Sequence, residues 1–197
     1  MSNFSFLFFY SISLERRAIR ILGRRYALTA TEFKFLEIGI NVGPPSYVEI
    51  VIGDHRGKEL VLSLETWKGL YDQRHNIHNL LRKDSTDIYN FISVGPLTVR
   101  FHKINDAKLI SLESSNVRMT MIESTLRRMF DLDQCIDITF NRLVRITETV
   151  DTKFTQFSNI ASTVTDNKEV ANVIRASDAF NMHQLVDCEL VALVHNM

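Results

Sequence analysis

The 197-residue chain has few residues that break regular structure and few that bind metals. It contains three prolines, seven glycines and two cysteines, and no glycine or proline follows Pro96. A long stretch without either residue favours extended helices in the second half. Cys135 and Cys188 have no CxxC or Cys/His spacing, so we expect reduced, buried thiols of an intracellular protein.

Catalytic motifs are absent as well. The chain has no GxxxxGK[ST] loop, no GxGxxG fingerprint and no HExxH helix. His75 and His78 are three residues apart, but no carboxylate or cysteine joins them at ligand spacing. Asp131, Asp133 and Asp137 lack an evident base or nucleophile partner. We therefore expect no catalysis, no metal and no cofactor.

The net charge is zero, but the charges are unevenly distributed. Residues 1–145 carry 20 Lys and Arg against 16 Asp and Glu, whereas residues 146–197 carry 3 against 7. This pattern fits a body that contacts polyanions and an acidic tail that competes with them. The alternative explanation is random variation in charge between the two parts. The charge density of the chain is also below that of a dedicated nucleic-acid binder.

The aromatic N-terminus, residues 1–15, has the apolar character of a signal-peptide core but not its flanks. It lacks a basic leading segment and a small-x-small cleavage site, and Arg16 and Arg17 follow at once. The apolar run is too short to span a bilayer as a helix. We predict an arm that packs on the body or on a sister subunit, and no membrane partner.

A short strand that leads into an amphipathic helix occurs twice. Leu60, Leu62 and Leu64 alternate, and the apolar spacing then changes to three and four. The same change follows the strand-like segment 116–121 in the second half. An offset of 59 residues pairs Leu70 with Met129, Tyr71 with Phe130, Asp72 with Asp131 and Ile77 with Ile136. This regularity indicates an internal repeat.

Turn signals before each helix separate four strand candidates, the first two at 18–22 and 26–35. The sequence predicts an α+β fold in which two ββββα repeats form antiparallel sheets packed with helices. Residues 16–145 would form this doubled domain, and residues 146–197 a helical, acidic C-terminal extension. One long helix is predicted from Ile122 toward Ile160, and a last helix over 169–194.

Segments 23–34 and 48–70 resemble the single-strand DNA-binding domain of the transcriptional coactivator called positive cofactor four. That family has an Arg-rich strand ending in an acidic-Phe-Lys sequence, a Gly-Lys turn, and a strand leading into a helix that opens with Glu-x-Trp. The matching positions are Arg24, Arg25, Glu32, Phe33, Lys34, Lys58 and Trp67. The doubled ββββα unit is similar to the Whirly proteins and the purine-rich-element (PUR) repeat proteins.

The sequence departs from the family pattern in several places. Segment 35–45 replaces a short Gly-Lys turn, and two extra residues precede Glu32. Thr31 stands where a basic residue is expected, and Leu126 stands where the second repeat would carry tryptophan. If both halves share the DNA contacts, the second set has degraded or acts differently.

The resemblance implies a homo-oligomer, dimeric or tetrameric, that binds single-stranded DNA in preference to RNA, with transcription or DNA-maintenance work in a nucleus. Curved sheets bind single strands through cations on phosphates and rings under bases, at about 1–3 kcal/mol per stacked base. The expected phosphate contacts are Arg24, Arg25, Lys34, Arg56 and Lys58, with Phe33 and Trp67 as stacking platforms and Arg100, Lys103 and Arg118 as second-half equivalents.

Each of these residues also has a purely structural explanation. Trp67 and Phe33 are typical of core positions, and the basic residues are typical of a solvated sheet face. The alternative function is a structural or assembly protein, such as a viral or accessory subunit, that keeps the fold without binding nucleic acid. Arg24, Arg25 and Lys34, with Lys58, should share one exposed face in a binder and be scattered or ion-paired in a scaffold.

Overall fold

The computed structural model describes residues 20–82, 91–105 and 107–195. Two four-stranded antiparallel sheets alternate with helices along the chain, each sheet with its strands in sequence order. The first sheet contains β1 (Arg20–Ala27), β2 (Lys34–Asn41), β3 (Tyr47–Asp54) and β4 (Glu59–Leu62), and the second contains β5 (Phe91–Val94), β6 (Leu97–Ile104), β7 (Ala107–Glu113) and β8 (Arg118–Ile122). The helices are α1 (Leu64–Asp72), α2 (Arg74–Arg82), α3 (Glu123–Phe130), α4 (Asp133–Val144), α5 (Thr147–Ser162), α6 (Val170–Ala176) and α7 (Leu185–His195), with a 3-10 turn at Asn167–Glu169. This confirms the α+β fold of two ββββα units; the predicted arm at residues 1–15 lies outside the described residues.

Each sheet turns one face, here called the inner face, toward a shared apolar core. In the first sheet Leu36, Ile52 and Leu60 pair across three strands and are buried. Val99 and Leu112 are paired and buried in the same way in the second sheet. The apolar residues of the alternating pattern therefore lie on the inner faces. The opposite faces, here called the outer faces, are turned away from the core.

The internal repeat is confirmed by the burial and contacts of its paired residues. Ile77 and Ile136, related by the 59-residue offset, are both fully buried. Tyr71 and Phe130, another such pair, contact each other edge to face with ring centroids 6.0 Å apart. From this contact between equivalent residues we infer that an approximate two-fold axis relates the two units and passes beside the two rings.

The first strand runs further than predicted, and the second starts later. The pairing of β1 with β2 shifts between Ile21 and Arg24, where Leu22 has a φ of +53°, so the chain bulges and continues as strand. The predicted strand at 26–35 is instead interrupted by a turn, in which the Leu28 amide donates to the Lys34 carbonyl at 2.8 Å.

The two long helices of the prediction are each divided. The helix expected from Ile122 to Ile160 is α3, α4 and α5, separated by breaks of two residues. The predicted last helix is split at 177–184, where the buried Asp187 accepts hydrogen bonds from the Asn181 amide and from Lys153. Helical apolar spacing continues through these breaks, because the separated helices cover one continuous core.

The C-terminal helices pack against the first sheet. The Leu22 amide in the β1 bulge donates to the Glu189 carboxylate of α7, and the Ser46 amide donates to Asp151 of α5 at 2.8 Å. The free cysteines, Cys135 and Cys188, are exposed, so their predicted burial is wrong. Among the described residues, no helix is long and apolar enough to cross a membrane.

Candidate nucleic-acid interface

Three of the predicted cations gather at one end of the first sheet. The β3–β4 turn reverses at Gly57, with a φ of +82° that favours glycine, and Asp54 accepts the backbone amides of Arg56 and Lys58 at 2.9 and 3.1 Å. The His55 amide donates to the Phe33 carbonyl at 3.0 Å, which ties this turn to the start of β2. We call the group Phe33, Lys34, His55, Arg56 and Lys58 the basic tip.

The half-buried ring of Phe33 stands at the centre of the basic tip. The Lys34 ammonium lies 5.4 Å and the Arg56 guanidinium 5.8 Å from its centroid. The ring of His55 meets it edge to face at 6.1 Å. Since Arg56 and Lys58 are exposed, the tip offers solvent an aromatic ring flanked by cations.

Lys34 is the unusual member of the basic tip. Its side chain points toward the core side of the sheet, where the ammonium lies 3.4 Å from the Met119 sulfur. Burial lowers the pKa of Lys34, and the neighbouring Lys58 and Arg56 lower it further, against the opposing influence of Asp54. An anion that reached this group would favour its charged form.

Arg24 and Arg25 are not members of the basic tip. Both are exposed in β1. Arg25 forms an ion pair with Glu37, and its guanidinium lies 3.9 Å above the Phe35 ring centroid on the outer face. That ring rests on Gly53, where a Cβ would come within 2.3 Å of it. Arg25 therefore covers an aromatic residue of its own sheet.

Arg20 is a buried, ion-paired residue that was not foreseen from the sequence. Its side chain is only 3% exposed on the outer face, where it pairs with Glu49 at 2.9 Å, Glu59 at 2.7 Å and Glu37 at 3.6 Å. Burial alone would lower the pKa of Arg20, but hydrogen bonds to Glu59 and Glu49 outweigh that effect and raise it. The sequence did contain one indication of this cluster: Glu37, Glu49 and Glu59 each alternate with apolar residues in three neighbouring strands.

The prediction that Trp67 is a stacking platform is wrong. Its side chain is 1% exposed, and its indole nitrogen donates to Asp133 at 2.8 Å. A base could reach this ring only if α1 left the core. Trp67 has the structural role that was the alternative explanation.

The second-half cations lie on a more open sheet. Arg100 and Arg118 both contact Glu113, at 3.0 and 2.7 Å, on the outer face of the second sheet. The Arg100 guanidinium also lies 5.5 Å from the ring centroid of the exposed Phe91. Lys103 is exposed near the end of β6. These residues form a group separate from the basic tip, because they belong to the other sheet.

The described side chains offer an anion two kinds of surface, a cationic tip with an aromatic ring and a sheet face of paired charges. Within these residues, no group of three or more His, Cys, Asp or Glu side chains is placed to hold a metal ion. Comparison with known proteins found no matching family model, curated protein or solved structure.

Proposed function

We propose that this chain is a single-stranded nucleic-acid-binding protein, preferring DNA to RNA, which uses the basic tip and acts as a homo-oligomer. The observation that carries the proposal is the gathering of Lys34, Arg56 and Lys58 around the partly exposed Phe33. Cations next to an aromatic ring match the two parts of a nucleotide, its phosphate and its base.

Each side chain of the tip has a separate part in this proposal. The exposed Arg56 and Lys58 neutralise phosphates and release counterions, which makes binding sensitive to salt. Phe33 stacks on one base. A phosphate that approaches Lys34 raises the pKa of its ammonium, because it offsets the burial that lowers that pKa in the free protein.

The proposed biological setting follows the resemblance to positive cofactor four and the Whirly proteins. We infer a binding protein without catalytic activity that serves transcription or DNA maintenance in a nucleus. The order of two ββββα units supports the resemblance, as do Phe33, immediately before β2, and Lys34, its first residue.

A structural or assembly role is the second candidate, and the ion pairs favour it. Arg25 is paired with Glu37, and both Arg100 and Arg118 are paired with Glu113. Ion-paired arginines are what we expect from a scaffold. The two functions differ in whether the basic tip binds an oligonucleotide.

Fluorescence polarisation with a labelled oligodeoxythymidine at several salt concentrations tests the proposal. We expect salt-sensitive binding, and about tenfold weaker binding by Phe33→Ala because one stacking contact is lost. Replacing Arg56 and Lys58 together by glutamine should reduce the slope of log K against log salt by about 1.4, since each phosphate contact on a single strand contributes about 0.7.

The matched control is Arg142→Gln, which removes one exposed positive charge on α4 and should leave affinity nearly unchanged. Absence of binding at low salt would reject the proposal and favour the assembly role. Equal losses in the control and the tip variants would also reject it, because they would indicate general charge attraction.

A further inference from the structure

A groove of about 330 Å³ lies between α2 and α3, beside the approximate two-fold axis. Ile77, Leu81 and Leu126 form its apolar wall, and the contacting rings of Tyr71 and Phe130 line it as well. The volume is at the small end of the range of ligand sites. The groove is separate from the basic tip, since they share no residue.

The repeat relates this groove to a second helix contact, that between α1 and α4. The 59-residue offset carries the groove residues Leu126, Arg127, Arg74 and His78 onto Trp67, Lys68, Asp133 and Asp137. The two contacts are therefore versions of one site, built from equivalent positions in the two units.

The α1–α4 version is filled by the protein itself. Trp67 occupies it with a buried indole, whose nitrogen donates to Asp133 at 2.8 Å. Lys68 pairs with Asp133 at 3.1 Å and with Asp137 at 2.6 Å, which raises the pKa of Lys68 despite the opposing effect of burial. The protein itself therefore supplies the aromatic ring, the hydrogen-bond acceptor and the positive charge of this contact.

The α2–α3 version has lost the large side chains that would fill it. Leu126 stands where the other version has Trp67, and Leu81 stands where it has Phe140. Two leucines, 3% and 5% exposed, thus stand at positions that are aromatic in the other version, and the groove lies beside them. In the α1–α4 version, the side chain at the position of Leu126 is the planar, aromatic indole of Trp67.

The polar edge of the groove is reversed in charge. Arg74 stands in place of Asp133, so a hydrogen-bond donor replaces the acceptor that holds the indole. Its guanidinium lies 4.3 Å from the Tyr71 ring centroid and donates to the Tyr71 carbonyl at 3.1 Å, which positions it at the groove.

Carboxylates also line the groove. Glu123 contacts His78 at 3.1 Å and Arg127 at 3.2 Å, and Asp131 lies at the edge. The pair of Glu123 with Arg127 is exposed, with a helical spacing of four, so it is weak and an incoming anion can displace it.

We propose that this groove binds a small planar aromatic compound with an acidic group. The ring takes the place that Trp67 takes in the other version, and the carboxylate or phosphate accepts hydrogen bonds from Arg74. This site is independent of the nucleic-acid proposal, and either can fail alone.

Isothermal titration calorimetry of the full chain with indole-3-acetate, indole and acetate tests this inference. We expect indole-3-acetate to bind about tenfold more tightly than indole, because a charge-assisted hydrogen bond is added, and acetate not to bind measurably. Adenosine monophosphate in a parallel titration distinguishes a nucleotide phosphate from an aromatic carboxylate as the acid source. No binding by either aromatic anion at millimolar concentration overturns the proposal.

Two variants locate the site. Leu126→Trp restores the aromatic residue of the other version and should abolish binding, whereas Arg74→Gln should remove the tenfold preference for indole-3-acetate over indole. Arg128→Gln, an exposed change on the same helix outside the groove, is the control and should bind as the wild type does. If Leu126→Trp does not fold, the Arg74→Gln result decides, because an unchanged preference in that variant contradicts the proposal.

Discussion

The outer faces of the two sheets differ in how far their arginines are buried. In the first sheet, Arg20 is 3% exposed among three glutamates, and Arg25 lies over Phe35. In the second sheet, Arg118 is 60% exposed and Phe91 is 52% exposed. We call the first face closed, because Arg20 is buried among glutamates of its own sheet, and the second open, because Arg118 and Phe91 remain largely in solvent.

The two equivalent helix contacts also differ, because one is filled by a protein side chain and the other contains a groove. The α1–α4 contact is filled by Trp67, whereas the equivalent α2–α3 contact is an open groove beside Leu126. The inner faces, by contrast, are apolar in both units, because both serve one core. Repeated units thus keep what the shared core requires and diverge where only solvent or a ligand is in contact.

Replacing the buried arginine should break the closed face most severely. Arg20→Met leaves Glu37, Glu49 and Glu59 without their shared counter-charge, so we expect a loss of about 3–5 kcal/mol in the free energy of unfolding at pH 7. Urea denaturation measures it. A deficit below about 1 kcal/mol would contradict this view of the face.

Replacing Trp67 by the leucine of the other helix contact should reduce the free energy of unfolding by less than Arg20→Met does. Trp67→Leu removes a buried ring and one hydrogen bond to Asp133, and we expect a loss of about 2–4 kcal/mol in the same urea assay. Free indole should restore part of this loss by occupying the cavity. Trp67→Phe is the control, since it keeps a ring and loses only the donor. Equal stability of Trp67→Leu and the wild type would show that the indole does not fill the contact.

The smallest effect is expected on the open face. Arg118→Met removes a largely exposed partner of Glu113, which keeps Arg100 at 3.0 Å, so the free energy of unfolding should change by less than about 1 kcal/mol. Salt screens an exposed ion pair, so the change should shrink further as the salt concentration rises. A loss as large as that of Arg20→Met would remove the distinction between the two faces.

The candidate site was predictable to the extent that it is local in sequence. Phe33 and Lys34 adjoin each other, and Arg56 and Lys58 share one hairpin turn, so their neighbourhood follows from strand and turn signals. A core position for Trp67 was the stated alternative, but the partners of Trp67 and Arg25 were not predictable in this way. Their partners, Asp133 and Glu37, come from segments that the sequence alone does not place beside them.

The sequence by itself determined the periods of two and of three to four, the 59-residue repeat and hence the two ββββα units, because alternation and helical spacing are properties of a single element. Only the tertiary structure decided where the helices break, which charges neutralise one another around Arg20, and which of two equivalent helix contacts is filled. Those outcomes depend on side chains that meet across long sequence separations, and the apolar pattern within an element says which face is buried but not what covers it.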